Sequence, residues 1–268
     1  MNRLMNKERA TYTGYQGLDT HLNSLFFPKI IKSKGNLIQI QPQPSINHFH
    51  IGHIRKFWIE KDLVYPFAPD LSVVKAHLYW PETPLAAIIP NRGSSVKAIQ
   101  EATQQLKQLP RLSAYFKAYK HTLEQQAAIA PHRHANFPHW AVNCPNPEIF
   151  SERKVAWASS GRTVHTIQLN ASAIFKSFAL KNLTIIPGKD LTYCSFSDTC
   201  SQLYFLSCIE HSTRSQKIKA FLATIPSSDL PVSLPIEKFD KQNDEHFKLA
   251  FKVSSTYFYP FISPSENG

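Results

Sequence analysis

The chain has 268 residues, 43% hydrophobic and 12% aromatic, enough apolar surface for one large core or two modest ones. Its 30 lysines and arginines against 19 aspartates and glutamates give a formal charge of +11, which points toward polyanionic partners and away from cationic ones. No run of about 18 apolar residues spans a bilayer and residues 1–9 lack the apolar stretch of a secretory signal, so the expectation is a cytoplasmic protein with no membrane partner.

In chain order, residues 12–41 read as strands and turns, opening on Gly14 and Gly17 and reaching the alternation Leu37-Ile38-Gln39-Ile40-Gln41. Pro42 and Pro44 end that pattern, residues 46–59 carry His48, His50, His53, Arg55 and Lys56, and residues 63–65 predict a strand. A further strand is predicted at residues 85–89, closed by the turn Pro90-Asn91-Arg92-Gly93. Ser94 and Ser95 can cap the helix that follows, where Val96, Ile99 and Leu106 share a face until Pro110. Leu112, Tyr115, Phe116, Tyr119 and Leu123 then follow the spacing of one buried helical stripe, with Arg111, Lys117, Lys120 and His121 on the other faces. The two helices suggest a hairpin.

A loop at residues 130–147 holds His132, Arg133, His134, Asn136, His139, Trp140 and Asn143. Strand patterns resume at residues 155–158, 163–169 and 183–186, with turns at Ser160-Gly161-Arg162 and Pro187-Gly188. Cys200, Leu203, Tyr204 and Ser207 have helical spacing, a basic segment covers residues 214–219, and Pro and Ser accumulate from Pro226. Strands and helices are grouped rather than regularly alternating, which predicts an α+β fold of mixed strands with a helical hairpin. Cys144, Cys194, Cys200 and Cys208 show no paired spacing and read as free thiols.

Between Arg92 and His121 the cations Arg92, Lys97, Lys107, Arg111, Lys117 and Lys120 face only Glu101, a surface suited to phosphates. Arg92, Arg133, Lys154 and Arg162 lie in or beside loops as candidate phosphate contacts, and His139 and Asn143 are candidates for base or water-mediated contacts. The histidine groups His48, His50, His53 and His132, His134, His139 with Cys144 match no standard zinc spacing, so no metal is expected. Glu152 and Lys154 mimic half of a metal-dependent nuclease site, with Asp70 or Asp190 as the missing acid.

The order of these pieces resembles the TaqI-like C-terminal specificity domain of adenine-N6 DNA methyltransferases. The resemblance runs over residues 12–221: Thr13-Gly14 at the start, Glu60 to Pro66 for an E-x-L-V-x-P stretch, a strand ending in Pro90, and the helix leader Leu109-Pro110-Arg111-Leu112. Trp140, Phe150 to Val155 for an F-x-x-x-K-I/V piece, and the closing segments at residues 183–186 and 203–209 complete it. The family's basic continuation after the E-x-L-V-x-P stretch survives only as Ala68-Pro69-Asp70. With 8 glycines, no Gly-rich strand-to-helix turn and no Asn/Asp-Pro-Pro-aromatic tetrapeptide, no S-adenosylmethionine site or other cofactor is expected.

The resemblance therefore implies a target-recognition-domain-like fold over residues 1–225, and the rise in Pro and Ser from Pro226 suggests a docking segment or appendage at 226–268. It implies a non-catalytic specificity component of a restriction-modification or related defence system. Double-stranded DNA and a methyltransferase catalytic subunit or domain are its expected partners. Arg92, Lys117, Lys120, Arg133, His139, Asn143, Lys154 and Arg162 are its expected DNA-binding residues. The alternatives are a divalent-metal nuclease around Glu152 and Lys154, and a basic scaffold for RNA or protein.

Overall fold

In the computed structural model, helices stand beside two mixed sheets, the α+β class expected from the grouping of elements. The structure describes residues 12–20, 23–43, 54–70, 74–75, 78–79, 83–129, 137–143, 146–159, 166–169, 173–213 and 236–257. The features expected at residues 46–53, residues 130–136, Cys144, residues 160–165 and the basic segment at 214–219 lie outside them. Among the described residues no helix is long and apolar enough to cross a membrane.

The strands are β1 (Tyr15–Gln16), β2 (Lys29–Lys34), β3 (Leu37–Gln41), β4 (Phe57–Glu60), β5 (Val64–Ala68), β6 (Val74–Lys75), β7 (Leu78–Tyr79), β8 (Leu85–Ile88), β9 (Arg153–Ala158), β10 (Thr166–Gln168), β11 (Ile186–Pro187) and β12 (Leu191–Phe196). One sheet has the order β1-β12-β9-β10-β7-β6 and the other β11-β5-β8-β2-β3-β4. Pairing is antiparallel except for β10 with β7 and β11 with β5. In the second sheet, β2 and β3 are joined by Gly35-Asn36. Gly35 at φ 54° supplies the positive φ that the first central position of a type II′ hairpin turn requires. Ile38 and Ile40 are buried while Leu37, Gln39 and Gln41 are half-buried, the alternation of a strand with one face on a core.

Helices α1 (Asn23–Phe26), α2 (Val96–Lys107), α3 (Pro110–Ala118) and α4 (Lys120–Ile129) belong to the second sheet's half, and α3 covers β4. The single helix expected over residues 112–123 is two helices, divided at Tyr119. There the amide bonds Phe116 at 3.2 Å, a tightened last turn, which leaves the ring against Phe57 at 5.6 Å and Tyr115 at 5.3 Å. The stripe itself is intact: Leu112, Tyr115, Phe116, Tyr119 and Leu123 are all buried. In α2 the buried residues are Ala102 and Leu106, and Val96, expected on the same face, is 75% exposed.

The first sheet is covered on both faces. Ala156, Ile167, Leu191 and Tyr193 join the large core shared with the second sheet. Val155, Trp157, Cys194 and Phe196, one residue out of phase, pack instead on α6 (Thr199–Thr213) and α7 (Asp244–Tyr257). A short helix, α5 (Ala173–Ser177), adds Phe175 to the large core. The segment from residue 226, expected as a docking segment or appendage, contributes Ile236 and Ala250 to the core of α6 and the first sheet. Of residues 183–186, expected as one strand, only Ile186 is paired, because Lys181 and Asn182 are drawn onto Asp62 and residue 185 turns its carbonyl inward.

The two sheets meet where β11 runs into β12 through Gly188. Gly17 donates to Leu191 and Leu18 to Pro187, each at 2.8 Å, while Gly188 donates to Ala68 at 2.7 Å. A Cβ at Gly17 would stand 2.0 Å from the Gly188 carbonyl oxygen, so no side chain fits where these backbones cross. Gly17→Ala is expected to cost about 3 kcal/mol, the upper end of overpacking. Gly35→Ala, with nothing within 4 Å of its Cβ and only left-handed strain to bear, costs about 1 kcal/mol. Urea denaturation of both variants measures the difference.

Candidate nucleic-acid interface

The loop after β8 and the loop after α4 are held together by one side chain. Asn91 is 1% exposed, and its amide makes a two-way pairing with Val142, donating to the carbonyl at 2.7 Å and accepting from the amide at 2.8 Å. The same Nδ2 donates to the Gly93 carbonyl at 2.8 Å, closing a tight turn in which Gly93 takes φ 112°. A buried amide with all its bonds made fixes both loops, since breaking one leaves a desolvated polar group. Ser94 adds an outer bond, donating to Asn143 Oδ1 at 3.2 Å. Next to it Ser95 caps α2, accepting from the Ala98 amide at 3.1 Å.

On this clasp stands Arg92. Its Nη2 donates to the Tyr65 hydroxyl at 3.1 Å, and its guanidinium lies 4.9 Å from the centre of the Phe150 ring. Tyr65 is buried in β5 and its ring is 5.6 Å from Phe150, so both supports are themselves packed. The residue is exposed and has no carboxylate partner among the described residues. A guanidinium held on one edge and one face presents its remaining N–H donors in a fixed fork.

Asn143 is exposed beside it, and His139 and Trp140 are half-buried, Trp140 against the large core. Lys107, Arg111, Lys117, Lys120 and His121 are exposed along α2, α3 and α4. Lys97 and Lys120 have i,i+4 partners, Glu101 at 3.9 Å and Glu124 at 3.6 Å, both pairs well exposed to solvent. Arg133 and Arg162 lie outside the described residues, as do all members of the two histidine groups except His139. Among the described residues no three His, Cys, Asp or Glu side chains gather as a metal site would require.

Lys154, expected to meet a phosphate, does not. It is completely buried on the face of β9 that looks toward the second sheet, and its Nζ donates to the Ile185 carbonyl at 3.1 Å and to the Ser151 carbonyl. Burial pushes its ammonium down to about 7, with Glu148 and Glu152 opposing the shift. The reason lies in the position of β9: its pleat puts Lys154 in phase with Ala156, toward the large core, and its other face is covered by α6 and α7. Glu152 is 80% exposed beside Arg153, while the Lys154 ammonium is buried and taken up by backbone carbonyls, so the lysine is not presented to a solvent-accessible metal site.

Sequence reasoning missed Asn91 and Glu60. The Glu60 carboxylate at the end of β4 accepts from the amides of Arg111 at 3.1 Å and Leu112 at 2.8 Å, capping α3 across the chain. The available signals were an Asn inside a Pro-Asn-Arg-Gly turn and a Pro at the start of a helix with no local cap, Leu109 having none. Comparison with protein families finds no family model that matches the chain, and comparison with curated proteins finds no significant match.

The buried Lys154 generates a pH dependence. Its folded value near 7 lies below its ordinary 10.5, so between those values the unfolded state binds more protons and stability rises with pH. Below pH 7 both states are protonated and the contribution is flat. The stability difference between the natural chain and Lys154→Met is therefore expected to move in favour of the natural chain by up to about 1.4 kcal/mol per pH unit from pH 7 toward 10.5. Urea titrations at four pH values read this slope.

Proposed function

We propose that this chain reads a DNA sequence for an adenine-N6 methyltransferase or related restriction-modification partner, without doing the chemistry itself. The observation that carries the reading is Arg92: a solvent-facing guanidinium locked by Tyr65 and Phe150 on a clasp that also presents Asn143. Arg is the side chain that reads guanine bidentately in the major groove, and Asn reads adenine in the same way. Preorganisation removes the entropy that a free arginine loses on binding.

The basic helices add the sequence-independent part. Lys107, Arg111, Lys117 and Lys120 lie on the exposed sides of α2 to α4, and the capped N-terminus of α2 opens beside Arg92. Phosphate contacts of this kind position a protein on the duplex, and base contacts then specify the site. Arg133 and Arg162 belong to the same proposal as further loop cations. The cofactor and the flipping of the base would come from the partner, since the chain carries no motif for either.

Selected-site binding followed by titration at several salt concentrations tests this. Arg92→Ala and Asn143→Ala are expected to shrink the gap between the selected site and random duplex by roughly 5- to 150-fold, the worth of a bidentate base contact. Lys117→Ala and Lys120→Ala are expected to weaken all duplexes alike and to lower the log–log salt slope by about 0.9 each. A uniform loss in the Arg92 variant, or failure to select any site, rejects sequence reading. Saturable binding of S-adenosylmethionine to the chain alone rejects the division of labour with a partner.

A further inference from the structure

The face of β2, β3 and β4 that points away from α3 has a composition that core packing does not explain. Across one register row stand Lys32, Gln39 and Trp58, with the Lys32 ammonium 5.5 Å from the centre of the Trp58 ring. Lys29 and Lys34 flank Lys32 on β2, and Gln41 follows Gln39 on β3. The lysines are exposed, while Gln39, Gln41 and Trp58 are half-buried. None of these lysines has a carboxylate partner among the described residues, and the amides of Gln39 and Gln41 bond no described side chain.

We propose that this face is a stacking platform for an unpaired DNA strand, with a base on Trp58, base edges on Gln39 and Gln41, and phosphates on Lys29, Lys32 and Lys34. Charge complementarity and the aromatic together select this occupant. An acidic peptide would use the lysines but not the ring, and a second copy of a face carrying Lys29, Lys32 and Lys34 would repel itself. Exposed cation–π contacts are weaker than base–aromatic stacking, so an incoming base displaces Lys32 from the ring and frees its ammonium for the neighbouring phosphate. Trp58 alternates with Phe57 along β4, and Phe57 is the ring that Tyr115 of α3 covers; only at the end of the strand does Glu60 reach α3. The preference for DNA over RNA rests on the duplex reading above; the platform itself does not.

The test uses the full chain with fluorescein-labelled dT12, rU12 and a 12-base-pair duplex, followed by anisotropy. Trp58→Ala is expected to weaken dT12 binding by about 10-fold or more, and Trp58→Phe by less than about 3-fold, with duplex affinity unchanged in both. The combined Lys29→Gln, Lys32→Gln, Lys34→Gln variant, altered only at exposed positions, is expected to lower the dT12 salt slope by about 2. Unchanged dT12 binding in Trp58→Ala overturns the platform, and so does an unchanged slope in the lysine variant. Competition by poly-glutamate as effective as that by dT12 overturns the nucleic-acid occupant, and rU12 binding 10-fold tighter than dT12 overturns DNA. A loss uniform across duplexes in Arg92→Ala, or failure to select any site, with dT12 binding still dependent on Trp58, rejects the duplex reading and leaves the platform standing, so the two readings fail separately.

Discussion

Everything in this molecule depends on two sheets approaching closely enough to share one core, and the approach is set by backbone rather than by side chains. Where Gly17 passes Gly188 there is room for neither residue to carry a Cβ, and the amides on both sides are spent on carbonyls across the junction. Hydrophobic burial supplies the drive, but it is non-directional and would accept many sheet angles. The crossing selects one. It brings Ala156 and Tyr193 of one sheet into the same core as Val64 and Ile88 of the other, and it leaves the far face of the first sheet to α6 and α7.

The buried polar groups serve this arrangement by answering backbone demands that secondary structure leaves open. Glu60 meets the first amides of α3, Asn91 meets both backbone groups of Val142, and Lys154 meets carbonyls on either side of the sheet junction. Each removes an orphan that would otherwise cost more than the net worth of an ordinary hydrogen bond. Each also links segments far apart in sequence, 51 positions in the case of Asn91. Such groups contribute to specificity of fold as well as stability, because an alternative packing would leave them unmet.

That distinction explains what was legible in the sequence. Period-two and helical patterns are local, so β3, β8, β9 and the stripe from Leu112 to Leu123 could be read directly. The loop cation Arg92 was legible from its turn. Lys154 was not: a lysine at a strand start reads as a surface charge, and only the position of β9 between two layers decides otherwise. The outer face of β2 to β4 was hidden for the opposite reason. The alternation of Gln39 and Gln41 was visible, but register, which aligns them with Lys32 and Trp58, is a property of pairing. Helix α7 escaped because the Pro- and Ser-rich stretch before it masked an acidic first turn at Asp244 and Glu245.

Arg92 belongs to a loop of the second sheet, yet the ring under its guanidinium, Phe150, sits in the turn of residues 147–150 that leads into the first. The arginine thus works as a pointer whose pivot is in one layer and whose rest is in the other. Its direction reports the spacing between layers, and that spacing is fixed where the backbones of Gly17 and Gly188 cross. A side chain added at buried Gly17 would wedge the layers apart and turn the pointer without altering any residue at the surface. Selectivity in such a molecule is open to change from inside, through the thickness of its core.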